Sequence, residues 1–225
     1  MMMRNAAVLL AIVSFAASTP RQPAMPTIRI VAIGDSTTAG TPAFSSPVEA
    51  PPNGRGDVTS QYAYWLMKAH PEWEVLNRGV NGERSDQIAA RFGRHVIDAR
   101  PAVTVIIAGV NDVYQGRATN DVTRHLRQMY DAAAREGIRV VAGTIIPYNT
   151  ATAEQNAKMH AVNAWIRRQA DDDPNIEFVD TRAAVSAPGR PDFLVSSPDE
   201  LHPSPEGYRL MAVAIAPAIR AALKR

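Results

Sequence analysis

Residues 28–36 read Ile-Arg-Ile-Val-Ala-Ile-Gly-Asp-Ser: a β-branched run closes at Gly34 and gives way to two polar residues. Residues 103–108, Val-Thr-Val-Ile-Ile-Ala, form a second run that is nearly all apolar. Strands that are apolar along their whole length are buried on both faces, as in the parallel sheets of α/β proteins. These two runs therefore predict a parallel sheet with helices covering both of its faces.

Strand-like and helix-like segments alternate along the rest of the chain. Further strands are predicted at 73–76, 138–146 and 176–179, and helices at 59–69, 85–97, 120–136, 153–170 and 205–223. Ser204 is a favoured N-cap residue, and Pro205 suits the first position of the last helix. The alternation predicts one α/β domain over residues 28–225.

Residues 41–57 form the longest stretch without a predicted helix or strand, and they follow the first strand directly. The stretch is rich in Pro and Gly. A loop this long inside a compact domain is often part of a binding site, and a mobile loop is the alternative.

Composition excludes several classes of protein. The 225 residues are 46% hydrophobic and 20% charged, which suits a folded core rather than disorder. The chain has no cysteine, which excludes disulfide scaffolds, thiolate metal sites and a cysteine nucleophile. The net charge is only +2 and the arginines are scattered, so we expect no nucleic-acid partner.

The N-terminal residues are typical of a secretory signal peptide. A short basic start, Met1–Arg4, precedes an uncharged and mostly apolar run at Ala6–Ala17. The apolar run is shorter than the ~20 residues that span a bilayer, so we expect no stable membrane anchor. The sequence thus predicts a signal peptide at 1–18, a linker at 19–27 and a secreted or periplasmic protein.

Four short polar motifs follow predicted strands or precede the last helix. They are Gly34–Gly40 (GDSTTAG), Asn77–Gly82 (NRGVNG), Gly109–Asp112 (GVND) and Asp199–Pro203 (DELHP). Because ligands of parallel α/β sheets bind at the carboxyl ends of the strands, we expect these motifs to lie together. Each motif alone is common in loops, but the combination predicts one functional site.

The motifs contain the groups needed for acyl transfer to a serine. The Ser36 hydroxyl is a poor nucleophile unless a base takes its proton, and His202 is the candidate base. Asp199 can orient the His202 ring and stabilise its protonated form. The N–H groups of Ser36 and Gly79 and the side-chain amide of Asn111 could stabilise an oxyanion.

This set of motifs resembles that of the SGNH, or GDSL-type, hydrolases, and the resemblance runs from about Ile28 to the C-terminus. The family's four blocks are matched by Ser36, Gly79, Asn111 and His202, with Asp199 as the acidic partner. The resemblance implies a flavodoxin-like three-layer α/β/α sandwich, a Ser-His-Asp triad and a Ser/Gly/Asn oxyanion hole. Thr37 stands where the name motif has Leu, a position at which many relatives vary.

Other catalytic layouts fit less well. The nucleophile elbow Gly-x-Ser-x-Gly requires a glycine where Thr38 stands. The first strand is not followed by a Rossmann or phosphate-binding glycine loop, and the sequence has no His-Glu-x-x-His pair. We therefore expect a serine esterase that uses neither a cofactor nor a metal.

The sequence indicates the substrate only weakly. Aromatic residues make up 6% of the chain and residues 41–57 are mostly polar, which argues against a long lipid-binding tunnel. We expect short acyl groups, acetyl included, on a small alcohol or a carbohydrate. A lysophospholipase or thioesterase, a non-hydrolytic acyltransferase and a glycan-binding module are the alternatives. The oligomeric state is not indicated by the sequence.

Overall fold

A computed structural model describes residues 27–225 of the chain. The predicted signal peptide, and all of the predicted linker except Thr27, lie outside the described residues. Within residues 27–225, no helix combines the length and the apolar character needed to cross a membrane.

Helices and strands alternate as the sequence predicts. The strands are β1 (Ile28–Gly34), β2 (Phe44–Ser45), β3 (Arg55–Gly56), β4 (Trp73–Gly79), β5 (Val103–Ile107), β6 (Arg139–Gly143), β7 (Ile176–Val179), β8 (Ser186–Ala187) and β9 (Arg190–Leu194). The α-helices are α1 (Ser36–Ala39), α2 (Tyr62–Ala69), α3 (Ser85–Ala90), α4 (Val110–Tyr114), α5 (Thr119–Arg135), α6 (Ala153–Asp172), α7 (Thr181–Val185) and α8 (Pro205–Ala222). A 3₁₀ turn spans Val58–Ser60, and a π-helical turn spans Gly93–Ile97.

The centre of the fold is a parallel sheet with the strand order β4-β1-β5-β6-β7. β1 lies between β4 and β5, and its last residue, Gly34, is paired with Gly79 on one side and Ile107 on the other. These three strands therefore end at the same level. This register brings the first three motifs of the sequence to one edge of the sheet.

Two apolar cores cover the two faces of the sheet. On one face, α2 and α8 bury Leu66, Tyr208 and Ile215 against the strands. On the other face, α3, α5 and α6 bury Ile88 and Leu126 among other side chains. The central strands β1, β5 and β6 are covered on both sides along most of their length, so they need no polar face. The predicted three-layer α/β/α sandwich is confirmed.

Several elements differ from their predicted bounds. The predicted helix at 85–97 is divided, since α3 ends at Ala90 and a π-helical turn follows. β6 ends at Gly143 rather than at Ile146, and Thr144–Tyr148 form a buried loop instead. Pro147 has no N–H for a strand ladder, which fits this early end. α4, α7 and the β8–β9 hairpin are too short to produce a readable periodicity.

The long stretch after the first strand is packed against the neighbouring motif. β2 and β3 form a short antiparallel ladder within residues 41–57. The Ser46 hydroxyl donates to the carbonyl of Gly79 at 2.6 Å, and the Asn81 N–H donates to the Glu49 carboxylate at 2.8 Å. These two contacts fix the stretch to the motif at residues 77–82.

Candidate active site

Ser36 is the first residue of α1, directly beyond the carboxyl end of β1. The preceding Asp35 is the N-cap of this short helix, and its carboxylate accepts the Thr37 N–H at 3.0 Å. Only 5% of Ser36 is exposed, and the exposed part lines a pocket. The strand-to-helix junction thus holds the serine at the carboxyl edge of the sheet.

The Asp35 side chain is almost completely buried. Burial raises the pKa of its carboxyl to about 7, although the hydrogen bonds from Thr37 lower it. The negative charges of Asp112 and Glu83 add smaller increases. The residue beside Ser36 therefore changes its charge near neutral pH.

His202 and Asp199 form a hydrogen-bonded pair on the loop before α8. His202 Nδ1 lies 2.7 Å from Asp199 Oδ2, while Asp199 Oδ1 accepts the N–H groups of His202 and Leu201 at 2.8 and 3.1 Å. Burial would raise the pKa of Asp199, but the hydrogen bonds from His202 bring it below its usual value. An ionised carboxylate only accepts, so Nδ1 carries a proton and Nε2 is the basic nitrogen of the neutral ring.

The loop that carries this pair is held by the segment after β6. Glu200, between the two residues of the pair, has a left-handed backbone with φ of 65°. Its carbonyl accepts the Asn149 N–H at 2.7 Å, and the Asn149 side chain accepts the Leu194 N–H at 2.8 Å. Asn149 therefore fixes the loop to the end of β9.

One pocket brings Ser36, Asn111 and His202 together. Its volume is about 140 Å³, and its other walls are mainly apolar and aromatic, from Val110, Tyr114, Ile146, Tyr148 and Leu201. Among residues 27–225, no hydrogen bond joins the Ser36 hydroxyl to His202. Hydrogen bonds between catalytic groups often shorten only when substrate binds. Ser36 and His202 therefore remain a candidate nucleophile and base, because both line the same pocket.

Asn111 is oriented toward this pocket by the first turn of α4. Its Nδ2 donates to the carbonyl of Glu83 at 3.0 Å, which leaves the second N–H of the amide for a ligand. The adjacent Asp112 is buried and accepts both the N–H and the hydroxyl of Ser85, at 2.8 and 2.7 Å. Asp112 is therefore a structural acceptor.

Gly79 is not brought into the pocket. It does not line the pocket, and its N–H already donates to the Asn77 side chain at 2.9 Å. A Cβ at this position would collide with the backbone nitrogen of Ala39. The structure thus explains the glycine by the close approach of α1 to β4, rather than by an N–H offered to an oxyanion.

Arg91 connects the elements that carry the site, and no motif in the sequence indicates this role. Its Nε donates to the Glu83 carboxylate at 2.6 Å, and its two terminal nitrogens donate to the carbonyls of Arg78 and Gly34 at 2.8 and 3.0 Å. The backbone carbonyl of Glu83 also accepts the Asn111 side chain. The Arg91 guanidinium therefore connects β1 and β4 with the residue that holds Asn111. These contacts join residues far apart in sequence, which a local motif cannot show.

Two tyrosines complete the pocket. Tyr148 is 3% exposed, and within the described part of the chain its hydroxyl is buried without a hydrogen-bond partner. Burial raises the pKa of this hydroxyl. Tyr114 is 59% exposed and meets the Tyr148 ring edge-on, with ring centroids 6.0 Å apart. The pocket thus has an exposed aromatic rim.

Comparison with known proteins identifies the chain as a carboxylic ester hydrolase. Over residues 27–225 no group of three or more His, Asp or Glu side chains is arranged to hold a metal ion. The chain belongs to the GDSL-like Lipase/Acylhydrolase family, whose model matches residues 32–210. Similar proteins support this assignment at the level of sequence and of structure.

An acetylxylan esterase of Geobacillus stearothermophilus is 27% identical over 204 residues, which cover 82% of this chain and 90% of the relative. A GDSL-like lipase structure from Bacteroides thetaiotaomicron has a TM-score of 0.70 at 25% identity, over 90% of this chain and 93% of that chain. A structure of a G. stearothermophilus acetylxylan esterase has a TM-score of 0.66 at 22% identity, over 85% and 94% of the two chains. The resemblance to the GDSL family is confirmed.

Proposed function

We propose that this ester hydrolase removes short acyl groups, acetyl foremost, from carbohydrates, by a triad of Ser36, His202 and Asp199. The observation that carries the proposal is the single small pocket lined by Ser36, Asn111 and His202. The 2.7 Å contact between His202 and Asp199 supports the assignment of the base and its orienting acid.

The reaction follows from the chemistry of these groups. The Ser36 hydroxyl attacks the acyl carbon while His202 Nε2 takes its proton, which gives a tetrahedral oxyanion. Collapse of this intermediate breaks the bond to the alcohol, and the alcohol leaves with the proton from His202. Water then attacks the acyl-serine by the same path and releases the carboxylic acid and the free serine.

The oxyanion donors in this proposal are the Ser36 N–H, the Gly82 N–H and the Asn111 amide. From Gly79 to Glu83, Gly82 has the one N–H without an acceptor in the described residues. Gly82 follows Asn81, which lines the pocket, and has a left-handed backbone with φ of 77°. Gly82 therefore replaces Gly79 as the proposed second donor.

The pocket volume favours a short acyl group. At about 140 Å³ the pocket is smaller than the roughly 300–1,000 Å³ of sites that bury drug-sized ligands, so it suits a group of few non-hydrogen atoms. An acetyl ester group has four such atoms, whereas a long fatty acyl chain would extend far outside. The size of the pocket thus argues against the lysophospholipase and long-chain thioesterase alternatives.

The rim of the pocket and the relatives favour a carbohydrate as the alcohol. The exposed Tyr114 ring offers a flat apolar face at the mouth of the pocket, on which the C–H face of a sugar ring can pack. The similarity to acetylxylan esterases over most of both chains supports the same substrate class. We further propose that the protein is exported, on the basis of the basic and apolar residues 1–17.

The proposal is tested with p-nitrophenyl esters from acetyl to palmitoyl and with acetylated xylo-oligosaccharides, with Ser36→Ala as the control. We expect activity that depends on Ser36, peaks at acetyl and extends to the acetylated sugar. Highest activity on the long-chain esters would refute the proposal that the enzyme removes short acyl groups. Acyl transfer to an added alcohol in preference to water would favour the acyltransferase alternative instead.

A further inference from the structure

A second cleft lies at the carboxyl edge of the sheet, beyond the end strand β7. It has a volume of about 570 Å³ and is lined by α6, α7 and the β8–β9 hairpin. Thr144 and Asp180, which follow β6 and β7, form its floor. None of its lining residues lines the pocket of Ser36. The cleft thus lies at the carboxyl edge of the sheet, but apart from the catalytic serine.

Two arginines on opposite elements line this cleft without an ion-pair partner. Arg167 on α6 lies over the ring of Phe178, at 3.5 Å from its centroid, and Arg190 on the hairpin lies over Phe193 at 3.8 Å. Within residues 27–225 no carboxylate forms a salt bridge with either guanidinium. Stacking on an aromatic ring restrains a guanidinium while its N–H groups stay available, so both charges are held ready for a ligand.

A third guanidinium in the wall of the cleft is buried. Arg182 is 5% exposed, and one of its terminal nitrogens donates to Asp192 and Asn156 at 2.7 and 2.9 Å. Its Nε–H is buried without an acceptor in the described chain. A buried donor without an acceptor is unfavourable, and an anion is the strongest acceptor that could satisfy it.

The carboxylates near the cleft are already engaged. Asp192 is shared between Arg182 and His160, whose Nε2 lies 2.7 Å from it. Asp180 accepts the Ala183 N–H at 2.9 Å and the Thr144 hydroxyl at 3.2 Å. Three guanidinium groups therefore face two carboxylates, and the balance of charge around the cleft is positive.

We propose that this cleft binds an oxyanion group, a carboxylate or a phosphate, between Arg167 and Arg190, with Arg182 behind them. A guanidinium group can donate two parallel hydrogen bonds to a pair of oxygens of either anion. The proposal does not depend on the esterase reaction, because the cleft and the pocket of Ser36 have no lining residue in common.

The test is isothermal titration of the protein with sodium D-glucuronate and with inorganic phosphate at constant ionic strength, with glucose as the neutral control. Arg167→Ala and Arg190→Ala remove exposed side chains and should leave the fold intact. Arg124→Ala, on the surface of α5 beside Asp121, is the matched loss of one positive charge.

We expect saturable binding of at least one anion, weakened about tenfold or more by either cleft variant and unchanged in Arg124→Ala. Binding of glucuronate alone assigns a carboxylate ligand, and binding of phosphate alone assigns a phosphate ligand. Absence of saturable binding to both anions would overturn the proposal. Equal binding of glucose, or equal affinity in all three variants, would also overturn it.

Discussion

Replacing Asp199 by asparagine tests how the base of the active site is oriented. In the structure, Asp199 Oδ2 lies 2.7 Å from His202 Nδ1, and Oδ1 accepts two backbone N–H groups of the same loop. Asparagine can keep the contacts of Oδ1, but it then presents an NH₂ group to Nδ1. Because a donor now faces Nδ1, the imidazole proton moves to Nε2, and the ring can no longer accept the proton of Ser36.

The size of the effect follows from these contacts. Loss of a hydrogen bond to a charged acceptor costs about 1.5–3 kcal/mol, which corresponds to roughly 10- to 150-fold in rate. The unfavourable tautomer adds to this loss, so we expect kcat/KM for p-nitrophenyl acetate to fall by about 10²–10⁴-fold. The two backbone contacts survive and the amide still hydrogen-bonds to Nδ1, so the free energy of unfolding should change by less than about 1 kcal/mol.

The assay measures kcat/KM together with urea unfolding, with Glu72→Gln as the matched control. Glu72 contacts the His70 ring at 3.3 Å but lies before β4, at the opposite edge of the sheet from Ser36. The control should keep wild-type activity. A folded Asp199→Asn protein with kcat/KM within threefold of wild type would show that Asp199 does not orient the base.

Four further substitutions test other parts of the account. Asn111→Ala should lower kcat by about 10²–10³-fold with little change in KM, and an unchanged kcat would remove Asn111 from the oxyanion hole. Gly79→Ala should lower the Tm, because a Cβ there collides with Ala39, and a wild-type Tm would contradict the packing role. Asp35 has a pKa of about 7 in the fold against an ordinary value of 3.8, so its ionisation destabilises the folded state as pH rises from about 4 to about 7. The Tm of Asp35→Asn relative to that of wild type should therefore increase over that pH range. A Tm difference that does not depend on pH would refute the raised pKa of Asp35. Tyr114→Ala should raise KM for acetylated xylo-oligosaccharides about threefold to tenfold without affecting p-nitrophenyl acetate, and equal effects on both substrates would exclude a sugar-binding rim.

The sequence predicted those features that depend on local patterns. β1 and β5 are mostly apolar, and Ser204 with Pro205 marks the start of α8, so these elements were predicted close to their observed bounds. Asp199 and His202 are three residues apart on one loop, and their contact could be predicted from that spacing.

Other features depend on how distant segments meet. The motif at 77–82 contains two glycines, and only the approach of Ala39 shows that the first of them is required for packing. Arg91 reaches three segments through its guanidinium, which no local spacing indicates. Tyr114 lies on a helix of five residues, too short for a readable pattern, and its exposure is set by the surrounding fold.

The most direct test of the central proposal is whether an acyl group is transferred to Ser36 during turnover. The protein is mixed with p-nitrophenyl acetate, quenched in acid within the burst phase and digested for mass spectrometry. We predict one added acetyl group on the peptide that contains Ser36, and none at this position in Ser36→Ala, which should also lose the burst. An acetyl group found reproducibly on another residue, or a burst that persists in Ser36→Ala, would contradict the proposal.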